Sequence, residues 1–166
     1  MRTLFIAIVA LTITITGFAK GNKGGEYTYK QFYRQYRDAD DVVSFKIPAG
    51  FASFFIDKED VEAKEFMKKM DDISFFICQK QTNQMILDLN RSLPEKLYKE
   101  IMIVKDGDTE VTFMAKEEGE FIGEVLMAVY EPDNLVVMCI TGEFTKEDAK
   151  KIAKSINTDS AINFNN

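Results

Sequence analysis

Residues 101–141 read IMIVKDGDTEVTFMAKEEGEFIGEVLMAVYEPDNLVVMCIT, a stretch in which apolar runs alternate with short polar turns. The turns are Asp106-Gly107-Asp108, Glu117-Glu118-Gly119 and Pro132-Asp133-Asn134. Turns of this kind between runs of β-branched and aromatic residues are the usual signal of β-hairpins. The stretch therefore predicts four consecutive antiparallel strands, at residues 101–105, 110–116, 120–130 and 135–141.

The segments on either side predict two further strands and several helices. Apolar runs at Val42–Ile47 and Ile73–Gln79 have the length and composition of strands. Apolar residues at helical spacing predict helices in the ranges 28–36, 49–56, 57–70, 82–93 and 145–156. Ser92 and Glu95 predict that a helix restarts after Pro94. The expected fold class is α+β, a mainly antiparallel sheet of five to six strands with helices packed on one face.

The N-terminal residues have the pattern of a secretory signal peptide. Arg2 precedes the apolar run Leu4–Ile15, and the small-residue pattern Gly17-Phe18-Ala19 precedes a polar stretch. Cleavage near Ala19 gives a periplasmic or secreted protein with no transmembrane segment. The expected organisation is a signal peptide at 1–19, a flexible leader at 20–26, a single α+β domain at 27–156 and a polar tail at 157–166.

The composition disfavours most familiar catalytic chemistry. The chain has no histidine, which removes the Ser-His-Asp and Cys-His pairs, imidazole metal sites and the commonest general base. Its net charge of −6, with dispersed lysines, is unsuited to nucleic acid. The carboxylates considered as catalytic pairs fall in predicted turns or strand ends, where solvated charge is usual: Asp38, Asp40, Asp41, Glu117, Glu118 and Glu120. We expect no enzyme, no cofactor, and no catalytic or metal-binding residues.

The two cysteines, Cys78 and Cys139, each lie inside a predicted strand among bulky apolar neighbours. An exported protein can form a disulfide, but such positions also suit buried free thiols. A disulfide requires Cα atoms within about 7 Å, and the sequence does not determine that distance. Buried thiols are the expectation, and a Cys78–Cys139 disulfide is the alternative.

The first predicted helix combines aromatic and basic residues. Its aromatic residues recur on one helical face: Tyr29, Phe32, Tyr33 and Tyr36. Arg34 and Arg37 lie elsewhere on the helix. An amphipathic helix that packs its aromatic face on the domain explains this pattern. A ligand-stacking or interfacial helix is the alternative, because aromatic residues beside arginines also suit binding surfaces.

Three segments carry a resemblance to a known family. They are Glu100–Gly107 (EIMIVKDG), Gly123–Val129 (GEVLMAV) and Val136–Phe144 (VVMCITGEF), the last followed by a capped helix. Together they resemble domain-of-unknown-function family 4252, a family of exported proteins of Gram-negative bacteria. The resemblance implies a fold and an exported location, and it brings no catalytic residues.

The leading function is a non-catalytic envelope module that binds an unknown protein or peptide, or a second copy of itself, through an open sheet face. Alternation along residues 111–117 directs odd positions to the helices and even positions to the open side. By that parity the expected interaction face contains Met114, Leu126 and Tyr130.

The alternative function is a small-molecule or lipid carrier with a pocket between sheet and helices. Its expected lining consists of apolar residues, mostly aromatic: Phe51, Phe54, Phe55, Phe75 and Ile77. A filled core made of the same residues is the competing explanation.

The signal-peptide pattern predicts that the mature protein begins at Lys20 or within a few residues of it. Mass spectrometry of the protein isolated from separated cell fractions measures this N-terminus directly. An intact Met1 on protein from the cytoplasmic fraction would contradict the prediction.

Overall fold

The computed structural model describes residues 27–52 and 61–155. These two ranges contain six strands and five helices. In chain order the elements are α1 (Tyr29–Tyr36), β1 (Val42–Pro48), α2 (Ala49–Ala52), α3 (Val61–Lys69), β2 (Met70–Cys78), α4 (Asn83–Ser92), β3 (Tyr98–Asp106), β4 (Thr109–Glu118), β5 (Phe121–Tyr130), β6 (Leu135–Phe144) and α5 (Lys146–Ser155). The predicted signal peptide, leader and polar tail lie outside the described residues.

The described strands form one sheet in the order β1-β2-β6-β5-β4-β3, with every neighbouring pair antiparallel. The strands β3 to β6 follow one another as hairpins, as the turns in the sequence predict. Gly107 and Gly119 have φ angles of +58° and +69°, in the left-handed region that glycine adopts at little cost. The α+β class and the antiparallel sheet are therefore confirmed.

Helices cover both faces of the sheet, so the prediction of helices on one face is wrong. Leu126 and Ala128 of β5 belong to a buried cluster that includes residues of α1 and α4. Val125 belongs to another cluster, with Ala149 and Ile152 of α5. Neighbouring strand residues point to opposite faces, so there is an α1/α4 face and an α5 face. The physical reason is that β5 and β6 bury apolar residues at both parities.

Helix α1 packs its aromatic face on the sheet, as the first explanation of its pattern predicts. Phe32 is fully buried, and its ring centroid lies 5.2 Å from that of Phe76 in β2. The Tyr36 hydroxyl donates to Asp88 of α4 at 2.7 Å, which joins the two helices on this face. Burial raises the pKa of Tyr36 to about 12, and the hydrogen bond to Asp88 is the second, smaller cause.

Local predictions around the helix ends had mixed outcomes. Thr82 caps α4 as predicted, accepting from the Met85 amide at 3.1 Å. No helix restarts after Pro94: the amides of Leu97 and Tyr98 both donate to the Pro94 carbonyl in a single turn, and Tyr98 already begins β3. Met70, predicted in a helix, is instead the first residue of β2.

The buried position of Leu126 predicts a large loss of stability on truncation. Leu126→Ala should lower the free energy of unfolding by about 2–5 kcal/mol, because it leaves a cavity beneath α1 and α4. Urea denaturation measures the change. Leu87→Ala is the matched control: Leu87 is 62% exposed, and its truncation should cost less than about 0.5 kcal/mol. Equal losses in the two variants would contradict the assignment of Leu126 to the core.

Candidate functional site

The predicted interaction face is one face of the sheet, but most of it is covered. Met114 lies opposite Leu126 in the β4–β5 register, and Tyr130 lies on the same side. Leu126 is fully buried in the cluster beneath α1 and α4, so the prediction that it contacts a partner is wrong. Met114 and Tyr130 are partly buried at the margin of that cluster. The exposed part of this face lies farther out, on β4 and β3.

A groove of about 530 Å³ occupies this exposed part of the face, beside α4; we call it the α4/β3 groove. Its apolar lining residues are Ile86, Ile103, Met114, Tyr130 and Pro132. Ile103 lies in the edge strand β3 and is 40% exposed. The Tyr130 hydroxyl donates to the Asn90 side chain at 3.2 Å, which holds the ring against α4.

Carboxylates line the same groove. They belong to Glu100, Asp108, Glu110 and Glu131. Glu110 pairs with Lys105 at 2.7 Å, whereas Glu100 and Asp108 form no ion pair within the described ranges. Burial raises the pKa of Tyr130 to about 12, and the negative charge of Glu110 is the second, smaller cause. The groove is therefore an apolar surface in a negative electrostatic environment.

A second concave site, the α1 cavity, lies between α1 and the strands β1, β2, β6 and β5. Its volume is about 380 Å³. The basic lining residues are Lys30, Arg34, Arg37 and Lys46. The other lining residues are Tyr29, Tyr33, Asp72, Ser74, Glu124, Cys139 and Thr141.

A polar network closes one side of the α1 cavity. Glu124 accepts from the Tyr98 hydroxyl at 2.6 Å and from Lys116 at 2.9 Å. Lys116 also contacts Glu118 at 2.7 Å, so two carboxylates share one ammonium group. Burial raises the pKa of Tyr98 well above its usual value, and the nearby negative charge of Glu124 is the second, smaller cause. This arrangement satisfies the Glu124 carboxylate within the domain and ties β3, β4 and β5 together.

The Tyr29 hydroxyl lacks a hydrogen-bond partner among the described residues, although the residue is only 4% exposed. Ser74 is the neighbouring polar side chain, and its hydroxyl donates to the Cys139 carbonyl at 3.4 Å. Burial raises the pKa of Tyr29 well above its usual value. The wall of the α1 cavity therefore contains a protonated phenol with no well-formed hydrogen bond to another described residue.

The expected carrier pocket is not formed by those of its predicted lining residues that the structure describes, Phe51, Phe75 and Ile77. Phe51 is 66% exposed, and Phe54 and Phe55 lie outside the described residues. Phe75 stacks on Phe45 of the edge strand β1, with ring centroids 4.8 Å apart. Phe75 and Ile77 have the opposite parity to Phe76 and so lie on the α5 face, away from the α1 cavity.

Four of the six carboxylates considered as catalytic pairs belong to separate ion pairs, and the other two, Asp40 and Glu120, are exposed. The pairs are Asp38 with Arg37 at 3.2 Å, Asp41 with Lys80 at 3.2 Å, Glu117 with Lys146 at 3.1 Å and Glu118 with Lys116 at 2.7 Å. Across residues 27–52 and 61–155, no group of three or more Cys, Asp and Glu residues is placed to hold a metal ion. No helix in these ranges is long and apolar enough to cross a membrane.

The model of the family described as Domain of unknown function (DUF4252) matches residues 33–152. The chain belongs to this family. The match confirms the family that the three sequence segments suggested. It includes the whole α4/β3 groove, and it includes the α1 cavity except for Tyr29 and Lys30. Comparisons with curated proteins and with solved structures gave no match.

Sequence reasoning did not identify the α1 cavity of this DUF4252 domain. The available signal was the combination of aromatic and basic residues in the first helix, which suggested ligand stacking as an alternative. The remaining residues come from distant segments, and Lys46, Ser74 and Thr141 meet only because β1, β2 and β6 are neighbours.

Both cysteines of the DUF4252 domain are buried free thiols. They lie on the adjacent strands β2 and β6, but Cys78 is opposite Leu135 and Cys139 is opposite Ser74. Four strand positions therefore separate them, a distance of roughly 13 Å along the strands. This exceeds the span of a disulfide, so the alternative pairing is not formed.

Burial predicts that neither thiol reacts in the folded protein. Iodoacetamide should leave Cys78 and Cys139 unmodified under native conditions and modify both after denaturation in urea, because burial also raises the pKa of Cys139. Mass spectrometry counts the modified residues. Rapid modification of either thiol in native protein would show that its strand opens readily.

Proposed function

We propose that this protein is a non-catalytic exported module of the cell envelope that binds a partner protein through the α4/β3 groove. The partner supplies a segment in which basic residues alternate with apolar ones. The observation that carries this proposal is the combination of apolar side chains and carboxylates in one exposed groove.

The apolar part of the groove supports contact with a protein. Ile103 is 40% exposed in a sheet whose central strands β5 and β6 consist mostly of buried residues. Met114 and Tyr130 continue the apolar surface inward to the core. A half-buried apolar surface joined to a rigid core is typical of the centre of a binding interface, because its burial by a partner needs little rearrangement.

The charges in the groove support a basic partner. Glu100 and Asp108 have no ion pair within the described ranges, and Glu110 shares its charge with a single lysine. The whole chain has a net charge of −6, which adds long-range attraction for a cationic segment. Complementary charge of this kind increases the association rate and disfavours acidic partners.

The position of β3 supports an extended partner segment. β3 is the last strand in the sheet order, so its outer backbone groups have no partner strand in the described sheet. Its ladder with β4 is regular from Met102 to Asp106, beyond the irregularity near Glu100. A segment added along this edge would place alternate side chains over Ile103 and the groove.

The non-catalytic and exported parts of the proposal have separate support. The sequence has no histidine, and four of the six carboxylates considered for catalysis belong to separate ion pairs. Export is supported by the signal-peptide pattern ending near Ala19.

Fluorescence anisotropy with two short labelled peptides tests the proposal. One peptide alternates lysine with isoleucine, and the other alternates glutamate with isoleucine. The basic peptide should bind, and the acidic peptide should not. Ile103→Lys should weaken the binding of the basic peptide by about tenfold or more, because it removes apolar contact and adds a like charge.

Val43→Lys is the matched control, because Val43 is an exposed β-branched residue on β1, the opposite edge strand. This variant should bind the basic peptide as the parent protein does. Equal binding of both peptides, or equal losses in both variants, would contradict the proposal. Light scattering should show a monomer; a dimer that dissociates in Val43→Lys would instead assign the interface to self-association through β1.

A further inference from the structure

We propose that the α1 cavity binds a small organic or inorganic anion through a carboxylate or phosphate group. This inference goes beyond the proposed function, because the cavity lies under α1 and shares no lining residue with the α4/β3 groove. Its volume of about 380 Å³ is in the range of small-molecule sites.

The basic residues supply the attraction for an anion. Lys30 and Arg34 of α1 line the cavity and form no ion pair within the described ranges. Arg37, which also pairs with Asp38 at 3.2 Å, lies one helical turn after Arg34. In a protein with a net charge of −6, cations gathered around one concave site create a local region of positive potential. An arginine also offers a planar pair of donors that matches carboxylate and phosphate oxygens.

The carboxylates that line the cavity are already paired. Asp72 contacts the Lys46 ammonium at 3.4 Å, and Glu124 is held by Tyr98 and Lys116. Their negative charges are therefore compensated within the protein and do not cancel Lys30 or Arg34. The cavity lining therefore has a net positive charge. This charge attracts an anion, whereas it gives a neutral ligand no electrostatic attraction and repels a cation.

Tyr29 provides an independent indication of a polar ligand. Its hydroxyl is buried in the cavity wall, is protonated and has no hydrogen-bond partner among the described residues. A buried donor without a partner costs free energy, and an anion that displaced the cavity wall enough to reach this hydroxyl would supply the missing acceptor. The polar neighbours Ser74 and Thr141 make the same wall unsuitable for a lipid chain.

Titration of the purified protein with inorganic phosphate and, separately, with succinate tests this inference. Two-dimensional ¹H–¹⁵N NMR spectra should show saturable shifts of amides in α1, β1 and β6 with at least one of the two anions. Comparison of the two titrations shows whether the site prefers a phosphate or a carboxylate. Sodium chloride at equal ionic strength is the control and should not reproduce the shifts.

Arg34→Gln should lower the affinity for the anion by about tenfold or more, which is the usual effect of losing a charge-assisted hydrogen bond. Arg91→Gln is the matched control, because Arg91 is a helical arginine that lies over the Tyr27 ring and outside the cavity. Tyr29→Phe should weaken binding several-fold while leaving the melting temperature of the anion-free protein unchanged or higher, since it removes a buried hydroxyl that has no well-formed hydrogen bond.

Shifts that sodium chloride reproduces, or equal losses in Arg34→Gln and Arg91→Gln, would overturn the inference and indicate nonspecific ion attraction. No effect of Tyr29→Phe on affinity would exclude the phenol as a ligand contact. Ile103→Lys, the groove variant, should leave anion binding unchanged, so that failure of this inference is distinguishable from failure of the proposed function.

Discussion

The structure depends on the need to bury both faces of β5 and β6. Val125 and Leu126 are consecutive, both are almost fully buried, and they point to opposite sides of the sheet. One helical layer cannot remove both residues from water, so the domain has helices on each face. Each buried side chain of this size contributes roughly 1.5–3 kcal/mol, which makes this double burial the main source of stability in the central strands.

Helix length then determines where the sheet stays uncovered. α1 has 8 residues and α4 has 10, so they are about 12 Å and 15 Å long, whereas a strand of 10 residues extends over roughly 33 Å. Two such helices cannot cover one whole face of a six-stranded sheet. Two gaps remain on this face: the α1 cavity, between α1 and the strands β1, β2, β6 and β5, and the α4/β3 groove at the β3 end. The first is basic and the second acidic, with the Lys116–Glu124 pair between them.

The sequence was sufficient for the local features of the fold. The turns around Gly107 and Gly119 predicted the hairpins, because left-handed backbone favours glycine wherever it occurs. Parity correctly grouped Met114 with Leu126, but it did not determine whether helices cover that face. Coverage depends on the docking of α1 and α4, which long-range contacts such as that between Tyr36 and Asp88 define. The α1 cavity was unpredictable for the same reason, since its residues come from four strands and one helix.

The strand order also has a consequence for how the chain assembles. β3 to β6 join through short turns, whereas the pairing of β2 with β6 brings together Ser74 and Cys139, which are 65 residues apart. Closing a loop of that length costs roughly 2–3 kcal/mol more than closing a hairpin turn, so the meander is favoured to form before β1 and β2 dock on it. The α1 cavity lies across the β2–β6 pairing, with residues of β1 and β2 on one side and residues of β6 and β5 on the other. A ligand bound in this cavity would contact β1 and β2 as well as β5 and β6, so its binding energy would stabilise the junction between the two parts of the sheet.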